Sequence, residues 1–319
     1  MDTKTVFRAS SIGDCNIRFT GVSEKNIIEI RKFSEDLDSR VGTFFDIRRD
    51  IELFHSRDIE RARKMFSEGT ECDYKGSDMP LGWKLRSIRG GYVFYSSRRD
   101  AFIEIGKSSK TLEVRLYSDE DDFGMLRHGV IDMLQLGTSM LLVHSVAIEK
   151  DGKGILFVGN SGTGKTTLHT QLISAGYGFN LVTEGHSLIS DGKIFQVKTM
   201  GLIRNGALRY LGLESDSDMD VDFRDYVGTK SCVQEINLII VPSFKLDGEY
   251  YTKDIQVSIK PMYRDWLLQV CDDDEREALY AKKMKQVGML PGHGIMFKYS
   301  ADAEKTAELF SNLIGELRC

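Results

Sequence analysis

Gly159, Gly162, Gly164, Lys165 and Thr166 stand in the stretch Phe157-Val158-Gly159-Asn160-Ser161-Gly162-Thr163-Gly164-Lys165-Thr166-Thr167-Leu168. A glycine, four residues, then Gly-Lys-Thr is the full spacing of a phosphate-binding loop. The three glycines let the backbone bend tightly and bring its N–H groups close to phosphate oxygens. A helix opening near Lys165 adds the positive end of its dipole at the same point. Lys165 is expected to reach the β- and γ-phosphates, and the Thr166 hydroxyl to ligate Mg²⁺. The binding set is therefore Gly159, Asn160, Ser161, Gly162, Thr163, Gly164, Lys165, Thr166 and Thr167, and the expected ligands are ATP (or another nucleoside triphosphate) and Mg²⁺. The bland alternative is a glycine-rich turn that binds nothing; the four fixed positions and both flanks argue against it.

Other residues able to do chemistry follow the loop and precede it. Residues 179–184 read as a strand that delivers the Glu184 carboxylate at its C-terminal end, where it can hold Mg²⁺ beside Thr166. His186 lies two residues further on. His144 lies in an apolar stretch, residues 140–148, that reads as a strand, and is a candidate base or hydrogen-bond donor toward a transferring phosphoryl group. Each has a plainer reading, as a satisfied core histidine or a solvated loop carboxylate. Arg204, Arg209, Lys230 and Arg264 are candidate cations, which phosphoryl transfer needs around the equatorial oxygens. His55, His128, His169 and His293 are taken as structural or surface residues.

The elements that must position these groups are legible in outline. The apolar run 155–158 leads into the loop as a buried strand, and residues 166–175, free of Gly and Pro, form a helix. Residues 187–197 read as a hairpin turning at 190–193, 233–241 as a buried strand, and 302–317 as an amphipathic helix. The acidic stretch 213–225 reads as a mobile loop. Upstream, apolar stripes over 24–37 and 47–66 predict helices, residues 82–117 an antiparallel meander, and 123–136 a further helix. The expected organisation is an α+β domain over 1–122, a candidate for substrate or partner recognition, and an α/β P-loop domain over 123–319, kinase-like by the resemblance described below.

Composition narrows the class. The net charge of −5 gives no strong nucleic-acid signal. No apolar run approaches the ~20 residues that cross a bilayer, and the first residues lack the apolar core of a secretory signal. Five scattered cysteines form neither a metal pair nor a disulfide framework. A reducing, cytoplasmic setting without membrane association is expected.

The loop flanks narrow it further. Transporter ATPase subunits carry similar loops, but the LSGGQ-type signature and the strand ending in Asp-Glu are absent here. Residues 142–189 resemble instead the superfamily of HPr kinase/phosphorylase and ATP-type phosphoenolpyruvate carboxykinase. Its members order a histidine strand, a glycine turn, the phosphate loop and a strand ending in carboxylates; His144, Gly152, Lys165 and Glu184 follow that order. The resemblance implies an HPr kinase-type P-loop fold, roles for His144, Glu184 and Arg204, and transfer of the γ-phosphate of ATP to a hydroxyl of a peptide, serine or other small molecule. It also raises a homo-oligomer. The family's paired aspartates are here Glu184-Gly185, with His186 able to supply part of what is missing. A nucleotide-binding regulatory or assembly protein with little turnover is the alternative, and an NTPase of another P-loop class a third.

Overall fold

A computed structural model describes residues 3–7, 17–20, 50–72, 83–97, 100–107, 111–118, 140–160, 162–196, 200–229, 232–233, 235–246, 248–257, 259 and 273–316. The expected helices over 24–37 and 123–136 and the expected boundary at 122/123 lie outside the described residues. The chain is mixed α/β and divides into two compact units. One comprises Met1–Glu35, Ser39–Met140 and Met262–Lys283; the other comprises Asp36–Asp38, Leu141–Pro261 and Met284–Cys319.

The described strands of the first unit form one eight-stranded sheet in the order β1-β2-β3-β8-β7-β6-β5-β4. Its strands are β1 (Thr3–Phe7), β2 (Ile17–Thr20), β3 (Asp50–Ser56), β4 (Thr70–Glu71), β5 (Trp83–Ile88), β6 (Gly91–Ser96), β7 (Ala101–Lys107) and β8 (Thr111–Tyr117). The antiparallel meander expected over 82–117 is β5 to β8. The helix expected over 47–66 is corrected to two elements, β3 and then helix α1 (Ile59–Glu68). Ile51 and Leu53 alternate with polar residues, and the parallel ladder with β8 from Asp50 to Ser56 secures the strand. Asp58 then caps α1, its carboxylate accepting from the Arg61 N–H at 3.1 Å. Ile59 and Ala62 of α1 pack with Val93, Phe102 and Tyr117 of the sheet.

The second unit carries the phosphate-loop motif. Its strands are β9 (Leu141–Val143), β10 (Ser145–Lys150), β11 (Lys153–Val158), β12 (Asn180–Thr183), β13 (Ser187–Ser190), β14 (Lys193–Phe195), β15 (Met200–Ile203), β16 (Met219–Asp222), β17 (Cys232–Val233), β18 (Ile236–Phe244), β19 (Tyr251–Gln256) and β20 (His293–Tyr299). The helices are α2 (Lys165–Ser174), the single turn α3 (Asn205–Leu208) and α5 (Ala303–Glu316), with α4 (Asp273–Gly288) running from residues of the first unit into residues of the second. A six-stranded sheet has the order β12-β10-β11-β18-β20-β19, a four-stranded sheet the order β17-β14-β13-β9, and β15 pairs with β16.

Strand alternation explains the layering. On β10 and β11, Val146, Ile148, Ile155 and Phe157 enter one core with Leu168 and Leu172 of α2 and Phe310 and Ile314 of α5. Ala147, Leu156 and Val158 enter the opposite core with Leu141 and Val143 of β9, Ile189 of β13 and Ile194 of β14. The six-stranded sheet thus has helices on one face and the small sheet on the other, so Ile155 to Val158 of β11 are apolar on both faces. The 187–197 hairpin is β13–β14, turning at Asp191 (φ 49°) and Gly192 (φ 73°), the two positive φ values of a type I′ turn.

Two further expectations are corrected. The stretch 213–225 is not a structureless loop. It contains β16 and a 3₁₀ turn (Phe223–Asp225), held because Val221 and Phe223 are buried and Asp222 accepts from the Arg224 N–H at 3.1 Å. Residues 140–148 are also not one strand, because the chain bends at His144 and passes from the small sheet (β9) to the large one (β10).

Candidate functional site

The bend at His144 has a counterpart. β12 pairs with β10, Ala147 opposite Thr183, while β13 pairs with β9, Ser187 opposite Val143. Both segments therefore change sheets side by side, one through His144 and the other through Glu184-Gly185-His186. Gly185 takes φ 73° in that crossing, a conformation that costs glycine nothing. The Ser145 hydroxyl donates to Ser187 Oγ at 2.7 Å, and Thr183 Oγ1 donates to the His186 carbonyl at 2.6 Å. The imidazoles of His144 and His186 lie 6.0 Å apart between ring centres. Because Ser145 pairs with Val158, His144 comes level with Gly159 at the start of the loop.

The loop leaves β11 at the C-terminal end of the strand, as ligand-binding loops of α/β sheets do. Gly159, Gly162 and Gly164 all have positive φ, at 138°, 87° and 99°. At Gly164 the need for glycine is also steric, since a Cβ would run into the Tyr299 hydroxyl and lie 2.9 Å from Phe244 Cβ. Asn160 accepts from Thr163 Oγ1 at 3.0 Å, and the Thr163 carbonyl accepts from the Phe244 N–H at 3.3 Å, tying the loop to the end of β18. The Tyr299 hydroxyl donates to the Gly164 carbonyl at 2.5 Å, and burial pushes its phenol well above the ordinary value, so it stays a donor. Thr167 sits half-buried in the first turn of α2, in hydrogen-bonding reach of Tyr299. Ser161 lies outside the described residues.

Lys165 begins α2 and is only 6 % exposed. Its ammonium donates to the carbonyls of Gly159 (2.7 Å) and Asn160 (3.1 Å), folding over the loop it belongs to. Burial lowers its pKa from 10.5 to about 8, against the opposing pull of Glu184. Thr166 donates to Glu184 Oε1 at 2.7 Å, so helix start and sheet crossing meet in one contact. Glu184 is buried, with its Oε2 3.3 Å from His169 Nδ1. Behind the carboxylate stands Gly201 of β15, where a Cβ would come within 2.5 Å of Glu184 Cγ. The His169 ring leans on Phe223 at 4.6 Å.

The structure therefore brings together Lys165, Thr166 and Glu184, and sets His144 beside His186 at the neighbouring corner. It does not bring Arg204 to the loop. Arg204 is exposed at the end of β15, and among the described residues no hydrogen bond or ion pair links its guanidinium to the loop. Arg209 stacks on Tyr210, 5.0 Å from the ring centre. Lys230 and Arg264 lie outside the described residues.

Three contributors were not read from the sequence. His169, set aside there as structural, sits three residues after Thr166, and that spacing already places the two on one helical face. Gly201 and Tyr299 gave no comparable signal, because their roles come from long-range packing.

As a metal site, the arrangement supplies oxygen donors, a hydroxyl and a carboxylate already in contact, which fits Mg²⁺ with phosphate oxygens completing its shell. Among the described residues there is no group of three or more His, Cys, Asp and Glu side chains placed to hold an ion by themselves. No helix among the described residues is long and apolar enough to cross a membrane. No family model and no curated protein matches this chain.

Proposed function

We propose that the second unit binds a nucleoside triphosphate, ATP in the first instance, together with Mg²⁺, and transfers its γ-phosphoryl group to a hydroxyl of a peptide, serine or other small molecule. The observation that carries this reading is the meeting of Lys165, Thr166 and Glu184 at the mouth of a glycine loop with three positive φ angles. In the proposed complex the phosphates take over the Lys165 ammonium from the Gly159 and Asn160 carbonyls. Thr166 and Glu184 hold Mg²⁺, which neutralises charge on the β- and γ-oxygens when bound. The acceptor oxygen forms a bond to the γ-phosphorus, the bond from that phosphorus to the β,γ-bridging oxygen breaks, and the diphosphate leaves. His144, level with the first loop glycine, takes the hydroxyl proton, and His186 lies beside it to share the charge.

One observation favours a second reading. The site has a single carboxylate at the crossing where the resembling family has two, and that carboxylate is engaged by Thr166. A nucleotide-binding regulatory protein with little turnover would need no more.

Incubation with γ-labelled ATP, Mg²⁺ and a cell extract, followed by mass spectrometry, separates the two. Transfer predicts a labelled product that Glu184→Gln abolishes while nucleotide binding persists. Tight binding with no labelled product from any acceptor pool favours the regulator.

A further inference from the structure

We infer that His169 is a positioning residue, holding the Glu184 carboxylate against Thr166 so that the oxygen pair is preset for a divalent cation; the inference rests on the nucleotide reading above. His169 is fully buried, and among the described residues neither ring nitrogen makes a hydrogen bond. An apolar side chain of that size would fill the space without leaving two nitrogens unsatisfied, so a core-filling role alone does not explain an imidazole here. The polar atom beside it is Glu184 Oε2, 3.3 Å from Nδ1, while Oε1 accepts from Thr166. The carboxylate thus spans residues three apart on α2, with one oxygen toward each.

The surroundings restrict both partners. Phe223 backs the imidazole at 4.6 Å, and Gly201 leaves the Glu184 methylene the room a Cβ would take. When a cation displaces the Thr166 proton from Oε1, the contact at Oε2 still fixes the carboxylate's direction. A small turn of the imidazole makes Nδ1–H a donor to that oxygen. Partners that orient a ligating carboxylate are a recognised determinant of metal affinity.

The test compares wild type, His169→Leu and His169→Asn by triphosphate affinity in EDTA, Mn²⁺ affinity of the protein–nucleotide complex by electron paramagnetic resonance, and melting temperature. Loss of the positioning contact in His169→Leu is expected to weaken Mn²⁺ binding by about tenfold or more while metal-free triphosphate affinity stays within about twofold. His169→Asn, whose amide N–H stands near the place of Nδ1, is expected to recover most of the Mn²⁺ affinity. If His169→Leu does not fold, His169→Phe, which can lean on Phe223 without a donor, takes its place. Unchanged Mn²⁺ affinity in the donor-free variant overturns the inference, as does equal loss in the Asn variant. A wild-type chain that binds triphosphate normally in the same experiment separates either failure from failure of the nucleotide reading; a wild type that binds none overturns both.

Discussion

Lys165 concentrates the energetics of the site in one side chain. Holding its pKa at about 8 instead of 10.5 means that burial penalises the ammonium by about 3 kcal/mol. The folded pKa lies below the unfolded one, so the penalty is complete below pH 8 and fades as pH rises toward 10.5; through that window this group makes the chain more stable. A triphosphate needs the charged form. Its binding should therefore take up a proton above pH 8, with affinity falling as pH rises and nearly flat below pH 8. Calorimetry in two buffers of different ionisation enthalpy measures that uptake. Lys165→Met should lose triphosphate affinity without lowering the melting temperature of the free protein, because it removes a buried charge. Gly201→Ala is predicted to act in the opposite sense, driving a methyl into Glu184 and costing about 1–3 kcal/mol of stability, read from chemical denaturation.

At the scale of elements, the site is built by two sheet crossings and one helix start. The helix start was legible because glycine spacing, an apolar strand and a breaker-free segment coincide within about a dozen residues. The strand end at Glu184 was legible from the apolar residues Phe179, Leu181 and Val182 just before it. The crossings were not. Residues 140–148 are apolar on both sides of His144 because β9 and β10 are both buried, and an unbroken apolar run says nothing of which sheet receives each half. Acidic composition likewise hid β16 and the 3₁₀ turn after it, whose buried residues, Val221 and Phe223, stand among acidic neighbours. In the first unit, Ile51 and Phe54 satisfied helical spacing while belonging to a strand, and the pairing with β8 decided the matter. This turn makes a prediction of its own. Phe223→Ala should destabilise the second unit by about 3–5 kcal/mol and loosen the wall behind His169, measurable as faster amide exchange in β15 and β16.

At the scale of the molecule, the two units are interleaved in sequence: the chain returns to the first at Met262–Lys283 before completing the second. The Lys283 ammonium donates to the Met140 carbonyl at 2.8 Å in a nearly water-free position. A fragment cut to begin at Leu141 loses that acceptor and is predicted to melt below the full chain. Ligand linkage gives a second expectation. If only the folded second unit binds, Mg²⁺ and triphosphate at a thousand times the dissociation constant stabilise it by about 4 kcal/mol, raising its thermal transition.

Titration calorimetry with Mg²⁺ and a nucleoside triphosphate reaches the central claim most directly. The prediction is saturable one-to-one binding to the wild-type chain and none to Lys165→Met at the same folded concentration. No association of the wild type with any triphosphate, with or without Mg²⁺, or equal binding by the Lys165→Met chain, would contradict it.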